Sequence, residues 1–588
     1  MTRTLLAIPL LAAVLAAGNL QAVAAGKADA RLRAALDRMG ESERVAAWVL
    51  FTDKGRHETL QGAIPYSVVT ERSIRRRLKV RGPSAVVDGT DLPVEEAYVQ
   101  GVAALVDGVR QRSKWFNGIS VSATRAQLRA VEQLPYVAGL ELVARFRRND
   151  TELPTDTPAP DGPPAPPPPP VTASRFNYGA SLTQVQMMNV VALHDSGNFG
   201  QGVIVGVFDN GFRIPNHEAF ASLQIMATYD FVDHKVSVVP RNTNQGWHGP
   251  PVLSCIGGFK EGQIIGPAFG ATYILARTEN DSSETPAEED KWVAAIEWAD
   301  SLGVEVASTS LGYLGYDAPY PSWTWRDMNG NTTRITRAAD MAVARGIVVV
   351  NSAGNNGSGS PGQNTLNAPA DGDSVLSIGA VDATGLRAGF SSVGPTTSIP
   401  PRIKPDVMAQ GSGVWAANAY NPTQYGYTSG TSFSCPLTAG AIALIVKARP
   451  HATPMQIITA VKATASRAST PDNQYGWGII NARAAIAAIS PTAAGEEPAA
   501  PAEFTLEQNY PNPFNPGTVI SFSVQREERV RLAVYDPLGR EVALLVDSPV
   551  TAGRHSVRWD ATGFASGVYY YTLRAGDRTA TRKLVVLK

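Results

Sequence analysis

Through the middle of the chain, short apolar runs recur with longer apolar or amphipathic stretches between them. Residues 203–208, 273–276, 304–308, 347–350 and 375–380 are apolar, strand-like runs with the length of buried strands. Between them, 288–302 and 334–344 carry helical spacing, and 432–447 is a helix with almost no polar position, so it belongs in a core. Strands alternating with helices from 174 to about 489 predict an α/β unit: a mostly parallel sheet with helices on both faces. Sites in such sheets gather at the carboxyl ends of strands.

The flanks follow other patterns. Before the sheet region, 45–51 and 118–122 read as strands, with helices at about 73–79 and 124–132, which predicts a small α+β module. After it, short strands at 519–524, 530–535, 542–546, 556–559, 568–573 and 581–587 predict a β-sandwich of roughly eighty-five residues. Two segments separate the three. Residues 151–171 hold the run of prolines at 166–170 and read as stiff, extended polyproline, and 491–503 is a second linker.

At 588 residues, about three domains are expected. Lysine plus arginine equals aspartate plus glutamate, 52 of each, so no overall field favours nucleic acid or a membrane surface. One basic cluster stands out, Arg72, Arg75, Arg76, Arg77, Lys79 and Arg81, and a solvated helix face is the expectation for it, with no nucleic-acid partner. Near the N-terminus Arg3 precedes an apolar run at 5–17 and small residues at 22–25, the pattern of a secretory signal cut near Ala24 or Ala25. About thirteen apolar residues cannot cross a bilayer that needs roughly twenty, and no other stretch is expected to be a transmembrane segment. Only Cys255 and Cys435 occur; both fall on expected core helices and are read as unbridged.

The chemistry-capable residues sit at the predicted strand ends and helix starts. Ser432, in Ser429-Gly430-Thr431-Ser432-Phe433-Ser434-Cys435-Pro436, opens the buried helix, where backbone N–H groups and the helix dipole favour an oxyanion. Asp209 closes a strand ahead of Asn210-Gly211, His248 lies in Trp247-His248-Gly249-Pro250-Pro251 leading into a helix, and Asn355 ends another strand. Each alone has a structural alternative, as helix cap, turn residue or surface histidine. Together they supply a nucleophile, a base, a carboxylate to orient the base and an amide donor, which is the set acyl transfer requires.

The order Asp, His, Ser resembles that of the subtilisin-like serine peptidases. Val205-Gly206-Val207-Phe208-Asp209-Asn210-Gly211, His248-Gly249, Ala353-Gly354-Asn355 and Gly430-Thr431-Ser432 are similar to that family's aspartate, histidine, oxyanion and nucleophile motifs. The resemblance implies catalytic roles for Asp209, His248 and Ser432, an oxyanion role for Asn355, and substrate binding along Ser310-Leu311-Gly312, where a peptide adds as a strand. Pro250-Pro251 departs from the family's usual Thr-His, as do Asn210 and Phe433 from commoner residues. A catalytically silent binding protein on the same fold is the alternative, and those prolines are its one support. The resemblance implies no required cofactor and no catalytic metal; structural calcium is common in the family, and no ligand cluster here is dense enough to assign it.

Trp48-Val49-Leu50-Phe51-Thr52-Asp53-Lys54-Gly55 and Ser113-Lys114-Trp115-Phe116-Asn117 resemble the family's inhibitory propeptide, which implies a zymogen whose partner is its own propeptide, cut between Arg145 and Ser174. Asn509-Tyr510-Pro511-Asn512-Pro513-Phe514-Asn515-Pro516 and Lys583-Leu584-Val585-Val586-Leu587-Lys588 look like the immunoglobulin-like sorting domain of type IX secretion, which implies secretion and surface-attachment machinery as partners. The expected division is therefore a signal peptide (1–25), propeptide (26–150), linker (151–173), peptidase (174–490), linker (491–503) and sorting domain (504–588). The expected product is a secreted or surface-attached endopeptidase acting on protein or peptide substrates.

Overall fold

The computed structural model describes residues 26–60, 68–82, 85–143, 174–242, 244–280, 287–314, 322–357, 359–360, 362–490, 504–506, 508–509, 512, 514, 517–550 and 553–586. The expected signal segment, both linkers and the expected cleavage region lie outside them.

The first unit runs α1 (Ala30–Arg38), β1 (Arg44–Phe51), α2 (Glu71–Arg77), α3 (Glu96–Ala103), β2 (Gly108–Ser113), β3 (Gly118–Thr124), α4 (Arg125–Glu132) and β4 (Val137–Leu142). Its antiparallel sheet has the order β2-β3-β1-β4. Val45, Ala47, Val49 and Phe51 of β1 pack with Val99, Val102, Leu128 and Val131 of the helices. Ala46 and Trp48 point to the opposite face and are buried too, because the central unit covers it; this is why β1 reads as a continuous apolar run. A capping box between Thr124 and Gln127 starts α4.

In the central unit, α5 (Leu182–Gln186) and α6 (Val190–Asp195) precede β5 (Ile204–Asp209) and β6 (Gln224–Asp230). Next come α7 (Gly249–Gly257), a ribbon of β7 (Phe259–Lys260) with β8 (Ile264–Ile265), β9 (Thr272–Arg277), α8 (Ala287–Leu302), β10 (Val306–Thr309), α9 (Arg334–Val343), β11 (Val348–Ser352), β12 (Leu376–Val381) and β13 (Val407–Gln410). The hairpin β14 (Val414–Ala417) and β15 (Tyr425–Thr428) leads into α10 (Thr431–Ala448), followed by α11 (Pro454–Thr464) and α12 (Ala482–Ala488). Seven strands pair in parallel in the order β13-β12-β11-β10-β5-β9-β6. Each strand of the expected core lies within two residues of its expected start; β6 and β13 are additions. Val205 and Val207 of β5 pack against α7 and α10, while Ile204 and Phe208 pack against α8 and α9, so the strand is apolar throughout.

Two expectations need correcting. By length and composition α10 could cross a membrane, contrary to the reading that no further stretch qualifies; it is the buried core helix beneath the sheet. The basic cluster is not wholly a solvated face either: Arg75 is exposed, but Arg76 and Arg77 are 1% and 0% exposed, held against the central unit by Asp300.

The third unit comprises β16 (Thr505–Leu506), β17 (Gly517–Val524), β18 (Glu528–Tyr535), β19 (Glu541–Val550), β20 (Gly553–Asp560), β21 (Gly567–Ala575) and β22 (Arg578–Val586). They form antiparallel sheets of order β16-β17-β20 and β19-β18-β21-β22 around Phe522, Leu532, Trp559 and Tyr571.

Candidate active site

Chain ends of the central sheet converge at one mouth. Asp209, the last residue of β5, is fully buried, and its Oδ1 lies 2.8 Å from His248 Nδ1. The Asn210 N–H donates to the same oxygen at 2.8 Å. Since a carboxylate only accepts, Nδ1 carries a proton, and in the neutral ring the lone pair is therefore on Nε2, the tautomer a general base requires.

His248 is the residue before α7, and the helix start explains the two prolines. The first orphan N–H of α7, on Gly249, donates to Asn210 Oδ1 at 3.2 Å. Pro250 and Pro251 have no N–H to satisfy, and the Val252 N–H already reaches the His248 carbonyl at 3.3 Å. Asn210 and the prolines are thus two halves of one solution to the start of α7. Trp247 and Phe433 flank the imidazole, with ring centroids 5.6 and 5.7 Å from it.

Ser432 is the second residue of α10 and is half-buried. Pro436 lacks the N–H that would bond the Ser432 carbonyl, and the Ser310 hydroxyl donates there instead, at 2.8 Å. In return the Ser432 hydroxyl donates to the Ser310 carbonyl at 3.3 Å. Rotation about one side-chain bond is needed to turn it towards another acceptor. Asn355, beyond the end of β11, accepts from the Thr431 N–H at 2.8 Å and the Thr431 hydroxyl at 2.9 Å through its Oδ1. That fixes the amide with its NH₂ end as the remaining donor, beside the N-terminus of α10. Ser310, Leu311 and Gly312 continue from β10, with the Leu311 carbonyl held by Asn351 Nδ2 at 3.1 Å.

Several residues here escaped the sequence reading. Arg277, at the end of β9 beside Asp209, donates to the Asn210 carbonyl (3.0 Å), Asp230 (3.0 Å), Asp233 (3.0 Å) and Gln245 (2.6 Å), tying together the two loops that carry Asp209 and His248. A cation directly after the buried run of β9 was its signal. Cys435 and His194 are unsuited to this chemistry by their surroundings. Burial pushes the Cys435 thiol up to about 12, and burial holds His194 down at about 4 while its ring nitrogens contact Tyr178 and the Pro267 carbonyl. Cys255 and Cys435 are both free and buried. Among the described residues no group of three or more His, Cys, Asp or Glu side chains is placed to hold a metal.

Subtilisin DY of Bacillus licheniformis is 32% identical to the chain over 287 residues, which cover 49% of the chain and 91% of that protein. The chain belongs to the subtilase family. The Subtilase family model matches residues 200–478 of this subtilase, the Bacteroidota peptidase S8 propeptide domain matches 46–156, and the secretion system C-terminal sorting domain matches 508–587. Subtilisin Savinase of Lederbergia lenta is 29% identical over 306 residues, covering 51% of the chain and 97% of that protein. A fold likeness extends over more of the chain in fervidolysin from Fervidobacterium pennivorans, described as a keratinolytic enzyme related to subtilisin: 18% identity, 93% of this chain, 77% of that one, TM-score 0.52. This subtilase is thus a protease made as a zymogen, and its type IX sorting domain marks it as secreted or attached to the cell surface.

Proposed function

We propose that this subtilase is a serine endopeptidase in which Ser432 is the nucleophile, His248 the base and then the acid, and Asp209 the carboxylate that orients it. The single observation that carries this reading is the 2.8 Å contact between buried Asp209 and His248 Nδ1, which in the neutral ring puts the lone pair on Nε2. When a peptide carbonyl sits over Ser432, the hydroxyl leaves Ser310, gives its proton to His248 Nε2, and forms the acyl bond. The Asn355 NH₂ group and the Ser432 N–H receive the oxyanion, and the imidazolium returns its proton to the leaving amine. Water then enters by the same route and releases the acid. Ser310-Leu311-Gly312 is the edge along which the substrate backbone adds as a strand.

The finer division of the chain belongs to the same proposal: a signal peptide to about residue 25, a prodomain to 150 that blocks the cleft until cut between 145 and 174, a peptidase at 174–490, and an immunoglobulin-like sandwich at 504–588 that engages the secretion and attachment machinery. The test is casein hydrolysis by secreted, processed protein. Ser432→Ala abolishes it under this reading, and near-normal hydrolysis by that variant overturns it.

A further inference from the structure

The basic helix α2 has no part in the chemistry above, yet two of its arginines, Arg76 and Arg77, are fully buried. It lies across the C-terminal ends of α8 and α9, where a helix leaves its last carbonyls without intrahelical donors and its dipole is negative. The first unit supplies what those ends lack. Arg76 uses all three guanidinium nitrogens: Nε donates to the Arg345 carbonyl at 2.9 Å, Nη1 to the carbonyls of Val304 at 2.6 Å and Asp300 at 3.4 Å, and Nη2 to the Asp300 carbonyl at 3.3 Å and to its carboxylate. Arg77 donates to the other Asp300 oxygen while Asp91, on its own side of the interface, grips it through both carboxylate oxygens at 2.7 and 2.8 Å. The Thr70 N–H takes the Ser301 carbonyl at 3.0 Å, Arg81 Nε takes that of Ala344 at 3.0 Å, and Arg72 pairs with Glu305 at 2.6 Å.

The central unit is shaped for this approach. Gly303 and Gly346, one after each helix, both have positive φ (+90° and +91°), and a Cβ there would stand 2.8–2.9 Å from the Arg72 side chain and 2.8 Å from the Arg76 carbonyl. Glycine at both points lets α2 sit directly on the helix ends. A lysine could not replace Arg76, because its three N–H donors leave one nitrogen, whereas Arg76 makes its contacts from three separate nitrogens spread across the guanidinium plane.

We propose that the C-terminal ends of α8 and α9 form a guanidinium-binding pocket of the peptidase, and that helix α2 of the prodomain is a detachable plug seated in it, holding the prodomain in place independently of the chain joining the two. The inference rests on reading residues 26–150 as a prodomain to be removed. Cutting the linker then leaves α2 seated, and the prodomain parts from the peptidase only when Arg76 and Arg77 leave Asp300. The vacated pocket keeps its carbonyls and carboxylate, because they belong to the ends of two packed helices, and the ligand class it takes is an arginine side chain.

The test uses the full-length Ser432→Ala chain, so retention is read without any catalytic activity and a failure here is distinct from failure of the triad reading. The chain is nicked briefly with trypsin, for which Arg145, Arg147 and Arg148 offer sites ahead of the proline-rich linker, and run on gel filtration. The nicked prodomain co-elutes with the peptidase at 0.15 M and at 1 M salt. Asp300→Asn and, from the other side, Arg76→Lys speed its release at least tenfold, and arginine amide speeds release from the parent where lysine amide at equal concentration does not. Separate elution of the parent's prodomain, retention unchanged in both variants, or equal effects of the two amides overturns the proposal. If Asp300→Asn does not accumulate as folded protein, Arg76→Lys, altered only in the prodomain, decides.

Discussion

Asn355 accepts two hydrogen bonds from one residue, the backbone N–H and the side-chain hydroxyl of Thr431, through the same amide oxygen. The amide is thereby aimed before any substrate arrives, which is what an oxyanion donor needs if it is not to reorganise during the reaction. Asn355→Ala lowers kcat on the order of a hundredfold or more with little change in KM, a size taken from the equivalent donor in subtilisin rather than derived from these distances. Thr431→Val keeps the shape but removes the hydroxyl, and kcat falls by less, about three- to tenfold, as the loss of one neutral hydrogen bond implies. Initial rates on a peptide anilide separate the two.

Asn210 and Gly249 make the second prediction. Asn210→Ala leaves the first N–H of α7 buried without its acceptor, which costs about 1–2 kcal/mol. Thermal unfolding of the processed peptidase shows a lower midpoint for this variant, and replacing Pro251 with alanine does not rescue it because no acceptor is restored.

Trp247 and Phe433 each follow or precede a residue of the proposed triad and close on the same imidazole. Positive charge develops on that ring as Ser432 gives up its proton, and aromatic neighbours within about 6 Å favour a cation by about 0.5–2 kcal/mol. Trp247→Leu and Phe433→Leu each lower kcat by about two- to thirtyfold, and Trp247→Phe recovers most of the loss.

The interface between prodomain and peptidase is sensitive to pH through Glu297. Its carboxylate accepts from the Lys114 and Trp115 N–H groups at 3.0 and 3.3 Å and from the Ser113 hydroxyl, yet burial is the larger effect and pushes it up to about 6. Asp290, on the same helix and facing Arg110, is raised in the same direction by burial. Once the prodomain leaves, Glu297 is solvated and returns towards the ordinary carboxyl range, so the assembled form holds the extra proton between about pH 4.5 and 6. Assembly is therefore firmest below that window and weakens as pH rises through about 6, by about 2 kcal/mol for this one group. Release of a nicked prodomain is about eightfold faster at pH 8 than at pH 5, and Glu297→Gln removes most of that difference.

Much of this was legible in the chain. Strands such as β5 and β11 are buried on both faces and show as unbroken apolar runs, and the four polar residues of the site stand at the predicted strand ends or helix starts. What escaped notice depends on partners far away in sequence. β6, Gln224–Asp230, is an edge strand with exposed Gln224, Ile225 and Met226, so its composition carries no burial signal. The arginines of α2 look solvated because the carboxylate they are buried against, Asp300, lies 224 residues on from Arg76. The Asn210–Gly249 bond likewise spans 39 residues, and without it Pro250-Pro251 reads as damage.

A further outcome concerns processing. Mass spectrometry of secreted material finds a mature N-terminus between residues 145 and 174, and a terminus before Val121 contradicts the zymogen boundaries proposed above.

The most direct measurement is covalent labelling of the processed peptidase with a fluorophosphonate, followed by peptide mapping. The account predicts a single adduct on Ser432 that disappears in His248→Ala, because the hydroxyl reacts only when the imidazole takes its proton. An unlabelled Ser432, or labelling that persists undiminished in His248→Ala, contradicts it.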